Sequence, residues 1–249
     1  MKIKIILRAG LVASAAAFAL AATPSRAGIV LELFTSQGCP GCPAADALLA
    51  DYVGAEGIVT LTYPVDYWDY LGWKDTLATR DNTLRQWAYA AARGANQVYT
   101  PQIVVDGTDH MIGSEQGEIA EAIAQATAMG RLDVPVAIAM EGASLRITVG
   151  AAGFGVASRA TIWIALFDET ETVAITGGDN AGQTVTYHNV VRAIERAGIW
   201  RGNAMTFELP TRIVADAGAD GVAVLLQQEI PTEYLGPILG AASFVVHAN

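Results

Sequence analysis

The order of apolar and polar positions along the chain is that of a layered α/β protein. Ile29-Val30-Leu31-Glu32-Leu33-Phe34 is a nearly continuous apolar run with one acid in it, the pattern of a strand covered on both faces. A small polar turn, Thr35-Ser36-Gln37-Gly38, leads into Cys39-Pro40-Gly41-Cys42-Pro43. Ala45, Leu48, Leu49, Tyr52 and Val53 then recur at i, i+3, i+4, i+7 and i+8, one apolar stripe of a helix that Gly54 ends. Ile58 to Tyr63 predicts a second strand through its β-branched and aromatic residues. Asp81 to Arg93 predicts a helix with Leu84, Trp87, Ala88 and Ala91 on its buried face and Gly94 as its stop. Pro101 cannot donate to a sheet ladder, so it belongs at the first position of the strand after it or at an edge. Asp106-Gly107 predicts a hairpin whose return strand runs near His110 to Ile112. Ser114 is placed to cap a helix through Met129, with Ile119, Ile123 and Ala126 inward and Gly130 as the stop.

From about Arg131 the pattern changes to short β segments: Val134 to Met140, Leu145 to Val149, Thr161 to Phe167, Met205 to Leu209, Val222 to Ile230 and Ile238 to Val246. Leu145 to Val149 and Met205 to Leu209 alternate cleanly, as strands with one wet face do. With Gly and Asp turns between them, these segments predict a mainly antiparallel β-sandwich. The expected organisation is therefore an α/β domain over residues 28–130, with the cysteines at a helix N-terminus, and a β-sandwich domain over 131–249. Val190 to Gly198 fits a strand or a short helix equally. The loop Gly177 to Gly182 is turn-rich but has no P-loop lysine, so it is no phosphate cradle. A hydrogen-bonded structural role is the preferred reading of His188.

The first 27 residues read differently. Lys2, Lys4 and Arg8 precede an alanine-rich apolar run from Leu11 to Ala22, and Ser25-Arg26-Ala27 supplies small residues for cleavage. The run is short for a membrane span, so residues 1–27 are expected to be a signal peptide and the mature protein periplasmic or secreted. Cleavage there removes four basic residues and no acid, taking the net charge from −10 to −14. No later segment is long and apolar enough to span a bilayer. An acidic chain without Lys/Arg clusters is a poor partner for nucleic acid. An exported protein meets conditions under which disulfides persist.

That setting gives the only two cysteines a chemistry. They sit where a strand turns into a helix start, where free N–H groups and the helix dipole stabilise a thiolate. Pro40 and Pro43 fall in the first turn, where a missing N–H costs little. The preferred reading makes Cys39 an exposed attacking thiol and Cys42 the resolving thiol behind it. A structural staple is the first alternative, yet closing so short a loop contributes only about 2 kcal/mol, against about 3 for a fifteen-residue loop. Metal binding is the second, and it would need two more ligands from His110, His188 and His247, none of them paired at ligand spacing. Pro64 to Asp75 is the densest aromatic segment, with Asp66 and Trp68 within it. It reads either as a satellite core under a long loop or as a wall beside the cysteines that shapes access.

A strand, a C-x-x-C helix and a Thr-Pro opening a hairpin resemble the thioredoxin fold. The runs Leu31 to Pro43, Val65 to Trp73 and Tyr99-Thr100-Pro101-Gln102, with Gly178 to Gly182 and Tyr187 to Arg192, resemble the secreted bacterial family labelled domain of unknown function 1223. The thioredoxin resemblance implies that Cys39 and Cys42 are a redox pair and that Pro101 is a cis-proline facing them. It implies that Pro101, with the backbone of Thr100, receives an extended substrate. It also implies that Glu32 stands near the position of a buried acid that takes a proton from the resolving cysteine, although a strand-end carboxylate reaching solvent is an equal reading. The function expected is an exported thiol–disulfide oxidoreductase acting on protein or small-molecule thiols and disulfides, with a periplasmic redox partner and no cofactor or metal. The alternative is a non-catalytic binding protein on the same scaffold, for a metal ion or an exported peptide.

Overall fold

The computed structural model of the chain describes residues 28–153, 155, 159–230 and 234–246, so the expected signal peptide and His247 lie outside it. The first half contains β1 (Ile29–Thr35), α1 (Cys42–Ala50), β2 (Ile58–Pro64), a single 3-10 turn (Asp69–Leu71) and α2 (Arg80–Ala92). It ends with β3 (Gln102–Val105), β4 (Asp109–Ile112) and α3 (Gln116–Met129). The second half contains β5 (Val136–Glu141), β6 (Ser144–Val149), β7 (Ala160–Ala174), β8 (Thr184–Trp200) and β9 (Met205–Pro210). A short helix α4 (Thr211–Asp216), β10 (Gly221–Ile230) and β11 (Tyr234–Val245) complete it.

Eight strands form one mixed, mostly antiparallel sheet in the order β11-β10-β7-β8-β2-β1-β3-β4. The parallel pairs are β1–β2 and β2–β8. A second, three-stranded antiparallel sheet, β5-β6-β9, covers part of it. Between these layers Val136, Leu145, Ile147 and Phe207 pack on Ile162, Ile164, Val222 and Val224. The two layers predicted for the second half therefore exist, but the larger one is continuous with the sheet of the first half. The two edges of β8 make the link: one pairs with β7 along almost its whole course and the other meets β2, where Thr62 faces Val190. Side chains hold that seam: Thr62 Oγ1 donates to the His188 carbonyl at 2.6 Å, and Asn189 Nδ2 donates to Thr60 Oγ1 at 2.8 Å. Val190 to Gly198 is thus strand.

Several local signals act as the sequence predicts. Asp106 and Gly107 both take positive φ, 50° and 73°, which a two-residue hairpin turn requires. Gly130 ends α3 in the left-handed region at φ 59°. Ser114 does not cap that helix, because Glu115 occupies the N-cap position without a side-chain cap.

The larger difference is α2. Its expected buried face is exposed, with Leu84 at 50% and Trp87 at 37%, while Asn82, Thr83, Arg85, Gln86 and Tyr89 are buried. Each of those side chains makes at least one hydrogen bond, although Asn82 Oδ1 and Gln86 Oε1 have none among the described residues. Asn82 Nδ2 donates to the carbonyls of Pro64 and Val191, Gln86 Nε2 to that of Tyr99, and Arg85 pairs with Glu32. Hydrophobic periodicity assumes that the apolar stripe faces the core, and here a polar network takes that place.

Candidate functional site

The strand-to-helix turn is built by short-range hydrogen bonds. The Cys39 amide donates to the Ser36 carbonyl and the Cys42 amide to that of Cys39, both at 3.1 Å. Gly41 is the N-cap of α1 and Pro43 lies in the first turn. Cys39 and Cys42 form a disulfide across this turn, with their Cα atoms 5.4 Å apart. The sulfur pair thus lies against the N-terminal amides of a nine-residue helix, where a thiolate released by reduction is favoured.

The expected exposure of Cys39 is not what the fold provides. Cys39 is 1% exposed and Cys42 fully buried, and only Pro40 and Gly41 of the turn reach solvent. Two distant loops supply the cover. Asn180 Nδ2 donates to the carbonyls of Gln37 at 2.9 Å and Cys39 at 2.8 Å, from 141 residues beyond the latter. From the aromatic segment, Trp73 Nε1 donates to Gln37 Oε1 at 2.8 Å, and Asp75 Oδ2 accepts from the Gln37 amide at 2.8 Å. The loops also meet each other, since a β-carbon on Gly177 would approach the Trp73 ring to 3.3 Å. Trp73 and Asp75 belong to the aromatic segment that reads alternatively as a wall beside the cysteines, while Gln37 and Asn180 are contacts that sequence reasoning missed. Gln37 adjoins the cysteines in sequence, but nothing local places the other three beside them.

Thr100 and Pro101 do come to the cysteines. Their peptide bond is cis, and Pro101 Cδ lies 3.5 Å from where Gly41 would carry a β-carbon. Trp68 joins them: its Nε1 donates to Thr100 Oγ1 at 2.7 Å, and its Cβ lies 3.0 Å from a β-carbon built on Gly38. Trp68 therefore lies between Thr100 and the turn that carries the cysteines. Asp66 is held elsewhere, accepting from Thr83 Oγ1 at 2.6 Å and pairing with Arg80 at 3.6 Å, so α2 engages it.

Glu32 lies on the wrong side of the sheet for the role the thioredoxin resemblance gives it. Successive strand residues point to opposite faces. Leu31 and Leu33 pack with Ala45 and Leu49 of α1, whereas Val30 and Phe34 pack with Tyr89 of α2. Glu32 follows the second set, 2.6 Å from Arg85 Nε and accepting from the Tyr89 hydroxyl.

A different acid lies on the cysteine side. Asp46 of α1 is 4% exposed, and neither carboxylate oxygen has a hydrogen-bond partner among the described residues. Burial pushes its carboxyl well above the ordinary value of 3.8. The Thr35 hydroxyl opposes that rise, and Asp75 adds to it. Asp75 itself is raised by burial, against donation from the Gln37, Leu77 and Ala78 amides. A carboxyl whose folded pKa exceeds its unfolded one holds its proton longer in the native state. Its stabilising effect is full below the unfolded value and is lost as pH rises through the folded one. Asp46→Asn should therefore unfold at a higher temperature than the native chain at pH 8, with the gain vanishing near pH 4. Thermal unfolding at the two pH values checks this, and an equal shift at both would refute it.

Among the described residues, no group of three or more His, Cys, Asp or Glu could hold a metal ion, and no helix is long and apolar enough to cross a membrane.

Fold and site together define a mixed α/β protein with a C-x-x-C disulfide at the start of a helix. The chain belongs to the family described as Protein of unknown function (DUF1223), which matches residues 30–227. It is similar to a crystal structure of an Agrobacterium tumefaciens protein from a structural-genomics programme. The identity is 37%, over 88% of this chain and 94% of that one, with a TM-score of 0.78. HBP35 of Porphyromonas gingivalis shares the fold at a TM-score of 0.60 and 13% identity, over 89% of this chain and 76% of its own. No curated protein matches the chain.

Proposed function

We propose that this protein is an exported thiol–disulfide oxidoreductase on a thioredoxin-like scaffold. The observation that carries the reading is the Cys39–Cys42 disulfide at the start of α1, backed by the Thr100-Pro101 turn against Gly41. The order β1, α1, β2, α2, β3, β4, α3, with β3 opening just after Pro101 beside β1, supports the scaffold. In the reaction, Cys39 thiolate attacks a substrate disulfide, a mixed disulfide forms, and Cys42 displaces the substrate thiol while closing the Cys39–Cys42 bond. The backbone at Thr100 receives the substrate chain, and Trp68 borders that approach. The basic, apolar, small-residue sequence of residues 1–27 supports export, and with it thiol substrates and a redox partner in the periplasm or outside the cell.

The cover over Cys39 supports a second reading, a non-catalytic binding protein in which the disulfide only braces the turn. Thiol chemistry separates the two. Equilibration with glutathione should interconvert the disulfide and dithiol reversibly, and alkylation against pH should give Cys39 a pKa well below the unperturbed value of about 8.5. Cys42→Ser should trap a mixed disulfide, and Cys39→Ser should form none. A disulfide that resists glutathione in the folded protein, or a Cys39 that titrates normally, would transfer the assignment to the binding protein.

A further inference from the structure

Cys42 and Asp46 are four residues apart in α1, and both belong to its buried face with Ala45 and Leu49. Positions i and i+4 of a helix lie one above the other, with β-carbons about 5–6 Å apart. Side chains so placed are neighbours on one helix face, the arrangement that lets a proton pass directly or through one water. Neither of the Asp46 oxygens makes a well-formed hydrogen bond among the described residues, and the Thr35 hydroxyl is the one side-chain donor that acts on the acid. The groups that face it are Thr35 at the end of β1, Asp75 from the loop before α2, and Tyr187 of β8. None of them is a cation that would hold Asp46 as a permanent counter-ion.

The geometry points to Asp46 as the proton acceptor for Cys42 in the resolving step, a role for which Glu32, on the opposite face of the sheet, is misplaced. The inference rests on the oxidoreductase reading and adds a residue to it. In the mixed disulfide, Cys42 still carries its proton in a site closed to bulk water. The Asp46 carboxylate takes that proton, and the Cys42 thiolate attacks Cys39 Sγ. The Cys39–Cys42 bond forms as the bond from Cys39 to the substrate sulfur breaks, and the electron pair leaves on the substrate thiolate. That thiolate then picks up the proton from Asp46 or from water. Run backwards, the same acid protonates Cys42 when a substrate thiolate opens the disulfide. A buried carboxyl whose proton affinity burial raises above the ordinary carboxylate range holds a proton more readily than an exposed acid, as the reverse step requires.

The test uses the reduced full-length protein and the small chromogenic disulfide dithiodipyridine. The first thiopyridone released reports attack by Cys39, and the second reports resolution by Cys42. With native protein the pH profile of the second phase should carry a carboxyl ionisation in addition to that of a thiol. Asp46→Asn should leave the first phase unchanged and slow the second about tenfold or more at neutral pH, removing the carboxyl limb of its profile. A native profile that follows a thiol ionisation alone, or an Asp46→Asn protein that resolves at the native rate, would overturn the role of Asp46 and leave the oxidoreductase reading standing. Absence of the first phase would remove that reading and this inference with it. The native pH profile needs no variant, so the proposal can be judged even where Asp46→Asn does not fold.

Discussion

An Arg85→Met variant is expected to lose about 3–5 kcal/mol of stability, read as a fall in the urea midpoint at unchanged slope. The side chains of Arg85 and Glu32 are 3% and 0% exposed, and Nε lies 2.6 Å from Oε1. The guanidinium also donates to the Tyr89 hydroxyl at 3.1 Å and to Gln227 Oε1 at 3.2 Å. It sits 5.5, 5.2 and 5.7 Å from the ring centres of Tyr63, Tyr89 and Trp163. This one side chain therefore ties β1 and α2 to β10, across the two halves of the chain. Removing it leaves the Glu32 carboxylate buried without a counter-charge, and that uncompensated charge is the main cost. The control is Glu32→Leu together with Arg85→Met. Removing both charges should recover most of the loss, because an apolar pair avoids the desolvation of two ions. A double variant no better than Arg85→Met would show that packing around the guanidinium, not the charge, dominates.

Asn180→Ala should both destabilise the protein and uncover its disulfide. The Asn180 amide satisfies two buried carbonyls at the cysteine turn, and its side chain is buried with them. The Cys39 carbonyl keeps the Cys42 amide as a donor but the Gln37 carbonyl is left unpaired, so a loss of about 1–3 kcal/mol is expected. Asn180 ties its loop to the backbone of the buried Cys39, so loosening that tie should make reduction by dithiothreitol several times faster. Asn180→Asp is the sharper variant. It keeps the shape but turns a donor into an acceptor facing two carbonyls, and it should be at least as damaging. If both variants reduce at the native rate and unfold at the native midpoint, Asn180 does not control access to the sulfur pair.

The parts of the site legible in the sequence are those made by neighbours along the chain. An apolar run, a small polar turn, two cysteines among prolines and an apolar stripe at helical spacing specify β1, the turn and α1 without outside help. Asp106-Gly107 specifies its hairpin for the same reason, since two consecutive positive φ values are a local requirement. Leu145 to Val149 and Met205 to Leu209 are likewise evident from alternation, whereas β7 runs well beyond its predicted end and β8, the longest strand, is ambiguous in sequence between strand and helix over Val190 to Gly198.

Tertiary structure decided what depends on distant partners. The same stripe of Leu84, Trp87, Ala88 and Ala91 that predicts a buried face lies largely outward, because Glu32, Pro64, Tyr99 and Val191 offer the opposite face better polar partners. The acid with access to Cys42 could not be chosen from the sequence either. Glu32 precedes the cysteines and Asp46 follows them, and only the packing of α1 and α2 on opposite faces of one sheet separates their roles. The Cys39 carbonyl is held by Asn180, in a loop whose glycines predict a turn but no destination. Propensity and periodicity report interactions within a few residues. The burial of a polar group, the choice of sheet face for an acid and the closing of a loop over a sulfur are set by contacts from far along the chain.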